Sequence, residues 1–229
     1  MNENRPQMPW YRQAAEVIPK HLYLKGIGTT LFIGLFFVAY FYLLKHPTHP
    51  SMLMQLTPVD KLIGFQPLAL PVYLSLWVYV SLPPVFLATR RELYEYAVAM
   101  SLMCITGLII YYFWPTAVPV SDVDWTQHPS VAFLKNMDAS GNACPSLHVA
   151  TALFSGVWLN HLLRRFTAPQ WILMLNWLWC VGIIYSTLAT RQHVVVDVMG
   201  GLVLGGVAIL ITSLHLLAKH KKLYNFFCR

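Results

Sequence analysis

Six apolar stretches, residues 27 to 44, 68 to 88, 97 to 114, 145 to 163, 170 to 188 and 194 to 218, divide the 229-residue chain, and none contains Lys, Arg or Glu. About 20 such residues suffice to cross the hydrocarbon core of a bilayer as a helix, which satisfies its own backbone groups there. The chain is therefore expected to be an all-α polytopic membrane protein, a bundle of six transmembrane helices. Composition agrees: 57% of residues are hydrophobic and 11% charged, against roughly a quarter charged in soluble domains, and the mean hydropathy is +0.53. The same values argue against a soluble domain and against disorder, and four cysteines are too few for a disulfide-stapled fold. The first stretch follows a polar leader and lacks a small-residue cleavage pattern, so it is read as a span and not a signal peptide.

The net charge of +7 distributes as a topology signal. Of sixteen Lys and Arg, twelve fall in the leader (Arg5, Arg12, Lys20, Lys25), the second loop (Arg90, Arg91), the fourth loop (Arg164, Arg165) and the tail (Lys219, Lys221, Lys222, Arg229). Only Lys45, Lys61, Lys135 and Arg191 fall in the alternate loops. That asymmetry predicts cytoplasmic termini. Dispersed in this way, the basic residues form no patch for nucleic acid.

Three regions follow: a cytoplasmic interfacial leader over residues 1–25, a membrane domain over 26–218 and a basic tail over 219–229. The leader mixes Trp10, Tyr11, Ile18, Leu22 and Tyr23 with basic residues, as an interfacial helix does. His46 and His49 have H-x-x-H spacing, but prolines beside them disfavour a helix and no third metal ligand is evident. Gly200, Gly201, Gly205 and Gly206 suit close helix packing; no strand precedes them, as a dinucleotide loop would require. Cys104 and Cys180 lie inside spans, Cys228 in the tail and Cys144 in an outer loop, so no structural disulfide is expected.

Polar side chains at membrane depth mark function by default. They gather in N-A-C-P-S-L-H-V-A (Pro145, Ser146, His148), in T-R-Q-H-V-V-V-D-V-M-G-G (Arg191, His193, Asp197) and, through Thr116, in F-W-P-T-A-V-P. The charge count puts all three at the outer face, where the fourth and sixth spans present N-termini whose free N–H groups and dipoles favour anions. Pro145 suits the first helical position, leaving Ser146 to cradle an oxyanion, and Arg191 offers a fork for phosphate. His193 and Asp197 are four apart, so the carboxylate can fix the imidazole tautomer and leave Nε2 to attack phosphorus. His148 supplies an acid and base for the leaving and incoming oxygens. Singly, each residue also fits an interfacial or anchoring role; the combination points to phosphoryl chemistry. That scheme needs no metal or cofactor, and no H-E-x-x-H or C-x-x-C motif is present.

These motifs resemble those of the type 2 phosphatidic acid phosphatase (lipid phosphate phosphatase) superfamily, P-S-G-H and S-R-x-x-x-x-x-H-x-x-x-D. Here Leu147 replaces the glycine, His193 and Asp197 keep their spacing, and Arg191 stands two residues before the histidine, with Ser186 and Thr187 where the family has S-R. The first family motif, K-x-x-x-x-x-x-R-P, is not recognisable; F-W-P-T-A-V-P stands in its place. In this the chain is similar to the inositol phosphorylceramide synthase-like branch, as are the stretches Asp60 to Ser75 and Asp138 to Asn142. The resemblance spans about residues 58 to 206 and implies that His193 is the phosphohistidine-forming nucleophile, Asp197 its orienting carboxylate and His148 the acid and base. Without the first motif, phosphate binding falls to Arg191, Ser146 and helix N–H groups, with Lys135 or Tyr112 assisting.

The expected function is a membrane phosphoesterase acting on a lipid phosphate or lipid pyrophosphate, with a phosphorylated lipid and the bilayer as partners. One alternative is a phosphotransferase that moves a phospho-headgroup to a lipid or glycan hydroxyl. Another is a non-catalytic lipid-binding or transport protein. Nothing in the sequence sets an oligomeric state.

Overall fold

The structure, a computed structural model, describes residues 8–120, 123–132 and 141–227, with side chains to residue 214. The described elements are almost all helical: α1 Trp10–Val17, α2 Leu22–Lys45, α3 Pro58–Leu62, α4 Leu70–Leu74, α5 Leu76–Phe86, α6 Arg90–Phe113, α7 Leu147–Arg165, α8 Gln170–Ala189 and α9 Val195–Phe227. Two short parallel strands, β1 Met52–Leu53 and β2 Thr116–Ala117, join the loops after α2 and α6.

Five segments are long and apolar enough to cross a membrane: α2, Pro67–Phe86, α6, α8 and the part of α9 over Val195–Leu214. The sixth expected span is also a helix, α7 of 19 residues, but it falls outside this set. Composition explains the difference, because His148, Asn160 and His161 interrupt its apolar run. Position explains why the chain keeps His148 in its first turn: α7 packs against α5, α6, α8 and α9. Ten of its 19 residues are buried. A helix screened from lipid by its neighbours has no need of a fully apolar surface.

Polar contacts inside the bundle fix its register. Asn176 on α8 donates to Gly156 O on α7 at 3.0 Å and accepts the Tyr79 hydroxyl at 2.7 Å. Each such bond replaces an unsatisfied group in an apolar medium, contributing on the order of 1 kcal/mol. Glycines bring α9 onto α7. A Cβ at Gly201 would lie 2.4 Å from Ser146 O, and one at Gly205 2.9 Å from Ala150 O, so neither position has room for a side chain. Gly206 faces open space and takes no part in this approach.

The helices alternate between two ends. Lys25, Val85, Glu92 and Arg165 meet at one end, where Lys25 Nζ donates to Val85 O at 2.7 Å and Arg165 pairs with Glu92. The strands, α3 and the starts of α7 and α9 lie at the other. Lys25, counted among the leader's topology charges, sits in the first turn of α2 at 4% exposure. Its ammonium also donates to Val17 O at 2.9 Å, tying the end of α1 to the bundle. Carbonyls at helix C-termini carry partial negative charge, which makes them suitable partners for a buried cation. The leader residues 1–7 and the charges Arg5, Lys135 and Arg229 lie outside the described residues, as do the side chains of Lys219, Lys221 and Lys222.

Candidate active site

The three polar segments of the sequence meet at one end of the bundle. Ser146 N donates to Asp197 O at 3.0 Å, joining the start of α7 to the first turn of α9. Thr116 holds the loop before α7, its Oγ1 accepting from Cys144 N at 2.8 Å and its carbonyl from Ala143 N at 3.2 Å.

Ser146 is the N-cap of α7, with its Oγ accepting the Val149 N–H at 3.3 Å. Pro145, expected as the first helical residue, instead precedes that cap, because the serine oxygen is needed to satisfy the helix start. The Ser146 hydroxyl hydrogen is still available for donation. Asp197 sits three residues into α9, where its Oδ2 accepts the Val194 N–H at 3.0 Å. That is half of a capping box, and it also sets a negative charge at the positive end of the helix dipole. Asp60 on α3 accepts the next N–H, from Val195, at 2.8 Å. Two N–H groups at the start of α9, expected to be free for an anion, are thus held by carboxylates.

His193 lies directly above Asp197, with Nδ1 3.5 Å from Asp197 Oδ2, which is longer than an ordinary hydrogen bond. Both residues are buried, at 5% and 0% exposure. The His148 ring faces that of His193, with centroids 5.6 Å apart. Tyr73 positions His148 by stacking on it at 4.8 Å and by a 2.8 Å hydrogen bond to Nε2. The Tyr111 hydroxyl donates to Pro145 O at 2.5 Å and secures the turn into α7.

Arg191 has a left-handed backbone, φ 57°, immediately after α8. Glycine is the usual residue there, and a larger side chain costs roughly 1 kcal/mol, so the guanidinium is kept against a local strain. One of its nitrogens, Nη1, donates to Asp60 O at 2.8 Å. Among the described residues, Arg191 Nε, Gln192 Nε2, both His193 nitrogens and Asp197 Oδ1 are buried without a hydrogen-bond partner. Native interiors rarely leave such groups unmet, and five together suit a polar ligand. Burial, and then the nearby Asp197 charge, push the Cys144 thiol up to about 11. It stays protonated at neutral pH and is a poor nucleophile.

An apolar cavity of about 450 Å³ opens from the histidines, lined by His148, His193 and Gln192 at one end and by Lys25 at the other. It follows α2 from Leu24 to Phe41, about 26 Å at the helical rise. Phe36, Phe37 and Trp77 are among its aromatic walls.

All five sequence candidates thus belong to this end of the molecule: His148 and His193 face each other, Asp197 lies beside His193, Ser146 joins α7 to α9, and Arg191 is tied to Asp60. Lys135 lies outside the described residues. Tyr112 is 47% exposed and does not line the cavity; its helix neighbour Tyr111 faces inward instead. Sequence reasoning assigned no role to Tyr73, Gln192 or Asp60. Tyr73 and Asp60 lay within the stretch that carried the family resemblance, and Gln192 lay between two candidates, but their roles depend on pairing across the bundle. His46 and His49 bond locally, to Tyr42 O and Thr48 Oγ1, and the described residues hold no cluster of three metal-ligating side chains.

No curated protein and no solved structure shows a significant match to the chain. A family model described as the PAP2 superfamily matches residues 66–211, a span that contains both histidines, Arg191 and Asp197. With that match over well more than half of its length, the chain belongs to the PAP2 superfamily.

Proposed function

We propose that the protein is an integral-membrane phosphoesterase that removes phosphate from a lipid phosphate or lipid pyrophosphate through a phospho-His193 intermediate. Superfamily membership supports phosphatase or phosphotransferase chemistry on lipid-like substrates. The observation that carries the finer reading is the facing pair His148 and His193, set between the starts of α7 and α9 and opening onto an apolar cavity. The cavity takes the lipid chain, and the unmet donor Arg191 Nε, with the Ser146 hydroxyl that caps α7, takes the phosphoryl oxygens.

Asp197 accepts a hydrogen bond from His193 Nδ1–H, a contact that tightens from 3.5 Å as charge develops on the ring. His193 Nε2 then attacks phosphorus, the bond from phosphorus to the lipid oxygen breaks, and His148, held by Tyr73, protonates that oxygen. In the second step His148 takes a proton from water. The oxygen of that water attacks phosphorus, the bond from phosphorus to His193 Nε2 breaks, and phosphate leaves with His193 restored and His148 again protonated. This scheme uses no metal.

Six crossings complete the topology in this proposal, with α7 as the central one, both termini cytoplasmic and the site on the periplasmic face of a bacterial inner membrane. The three regions 1–25, 26–218 and 219–229 then act as interfacial leader, enzyme domain and basic tail. The F-W-P-T-A-V-P segment and the R-x-H spacing favour the inositol phosphorylceramide synthase-like branch. For that reason acceptor lipids belong in the assay: acceptor-dependent product with negligible free phosphate assigns a phosphotransferase. The decisive measurement is phosphate release from labelled lipid phosphates by wild type, His193→Ala and Asp197→Asn. Release by His193→Ala at the wild-type rate would falsify the mechanism.

A further inference from the structure

Gln192 has no part in the mechanism above, yet its surroundings are those of a ligand group. It is 4% exposed, and among the described residues its Nε2 has no hydrogen-bond partner. A buried amide donor left unmet is costly, so a bound acceptor there is favoured strongly over none. Its place in the site also differs from that of its neighbours. Gln192 lines the apolar cavity together with His148 and His193, whereas Arg191, Ser146 and Asp197 do not. With the lipid chain in the cavity, as proposed above, Gln192 lies beside the part of the substrate that is retained.

We infer that Gln192 Nε2 forms a subsite for an oxygen acceptor on the retained part of the lipid, next to the phosphoester that is cleaved. This rests on the phosphoesterase reading. The amide donates and the ligand accepts, so the group it takes carries a bare oxygen: an ester carbonyl of a glycerolipid, or the non-transferred phosphate of a lipid diphosphate. A simple alkyl phosphate has neither. A site built around such a bond discriminates against substrates lacking it, because the buried donor is then stranded.

The test compares wild type with Gln192→Met and Gln192→Glu, full-length and in detergent micelles, on dodecyl phosphate, dioleoyl phosphatidate and farnesyl diphosphate. Gln192→Met removes the donor outright and Gln192→Glu removes it when ionised, with little change of shape, so assay above neutral pH lets either one decide if the other does not fold. The expected result is a fall of about tenfold or more in kcat/KM on phosphatidate, on the diphosphate or on both, with dodecyl phosphate changed less than about twofold. Loss on phosphatidate alone assigns the ester carbonyl, and loss on the diphosphate alone assigns the retained phosphate. An equal loss on all three substrates, or no loss on any, overturns the subsite while leaving the phosphoesterase in place. A wild-type protein that releases phosphate from none of them overturns both.

Discussion

Helices α2 and α7 divide the work of this membrane protein in opposite ways. α2 is among the most apolar segments, yet only 6% of its most apolar window is buried, and Leu35 and Val38 on it are 70% and 71% exposed. α7 fails the apolarity test for a span, and ten of its 19 residues are buried. Hydropathy therefore reports what faces lipid. It does not report what lies at the centre, where packing and hydrogen bonds replace the bilayer as the surroundings of each side chain. His148 and Asp197 sit in the first turns of the buried helix and its partner α9, His193 stands in the turn before α9, and the apolar helix supplies a wall for the cavity.

The largest expected effect breaks the chemistry at the α7 and α9 starts. His193→Ala should lower phosphate release about a thousandfold or more, the scale on which loss of a covalent nucleophile is felt. It should also abolish protection by vanadate against thermal unfolding, measured side by side with wild type. If the variant keeps both, the buried helices carry structure and no catalysis.

Next comes the close approach of α9 to α7. Gly201→Leu places atoms into Ser146 O and Val149, so its midpoint of thermal unfolding in detergent should drop by several degrees with loss of activity. Gly206→Leu, facing open space on the same helix, should match wild type. Equal behaviour of the two would show that the glycines do not set the packing.

Arg191→Gly should separate stability from function. Relief of the left-handed backbone is worth roughly 1 kcal/mol, so the unfolding midpoint should hold or rise while kcat/KM falls by about a hundredfold. A fall in both would make Arg191 a structural link to Asp60 alone.

The smallest effects belong to α2. Phe36→Ala, on the cavity wall, should raise KM several-fold for long-chain substrates and leave short-chain ones unchanged. Leu35→Ala, pointing outward, should change neither activity nor stability by more than about 0.5 kcal/mol.

Much of the site was legible because its motifs are local. Four-residue spacing keeps His193 close to Asp197 even though His193 stands in the turn before α9 and not on the helix, and a serine before an apolar run caps it wherever it occurs. Five of the six apolar stretches also became candidate spans on composition alone. Tyr73 could not be read in this way, since it reaches His148 across 75 residues of chain, nor could Asp60, which caps α9 from 135 residues away. Nor could the burial of Lys25 be read, since the carbonyls that hold its ammonium come from the ends of α1 and α5.

By itself the sequence determined that the chain is a helical membrane protein of PAP2 type, because apolar length and short polar motifs act through local geometry. Only the tertiary structure decided which helix is central, which donors are already satisfied and which are left for a ligand. Those outcomes depend on what each polar atom meets after packing, and segments distant in the chain supply the partners.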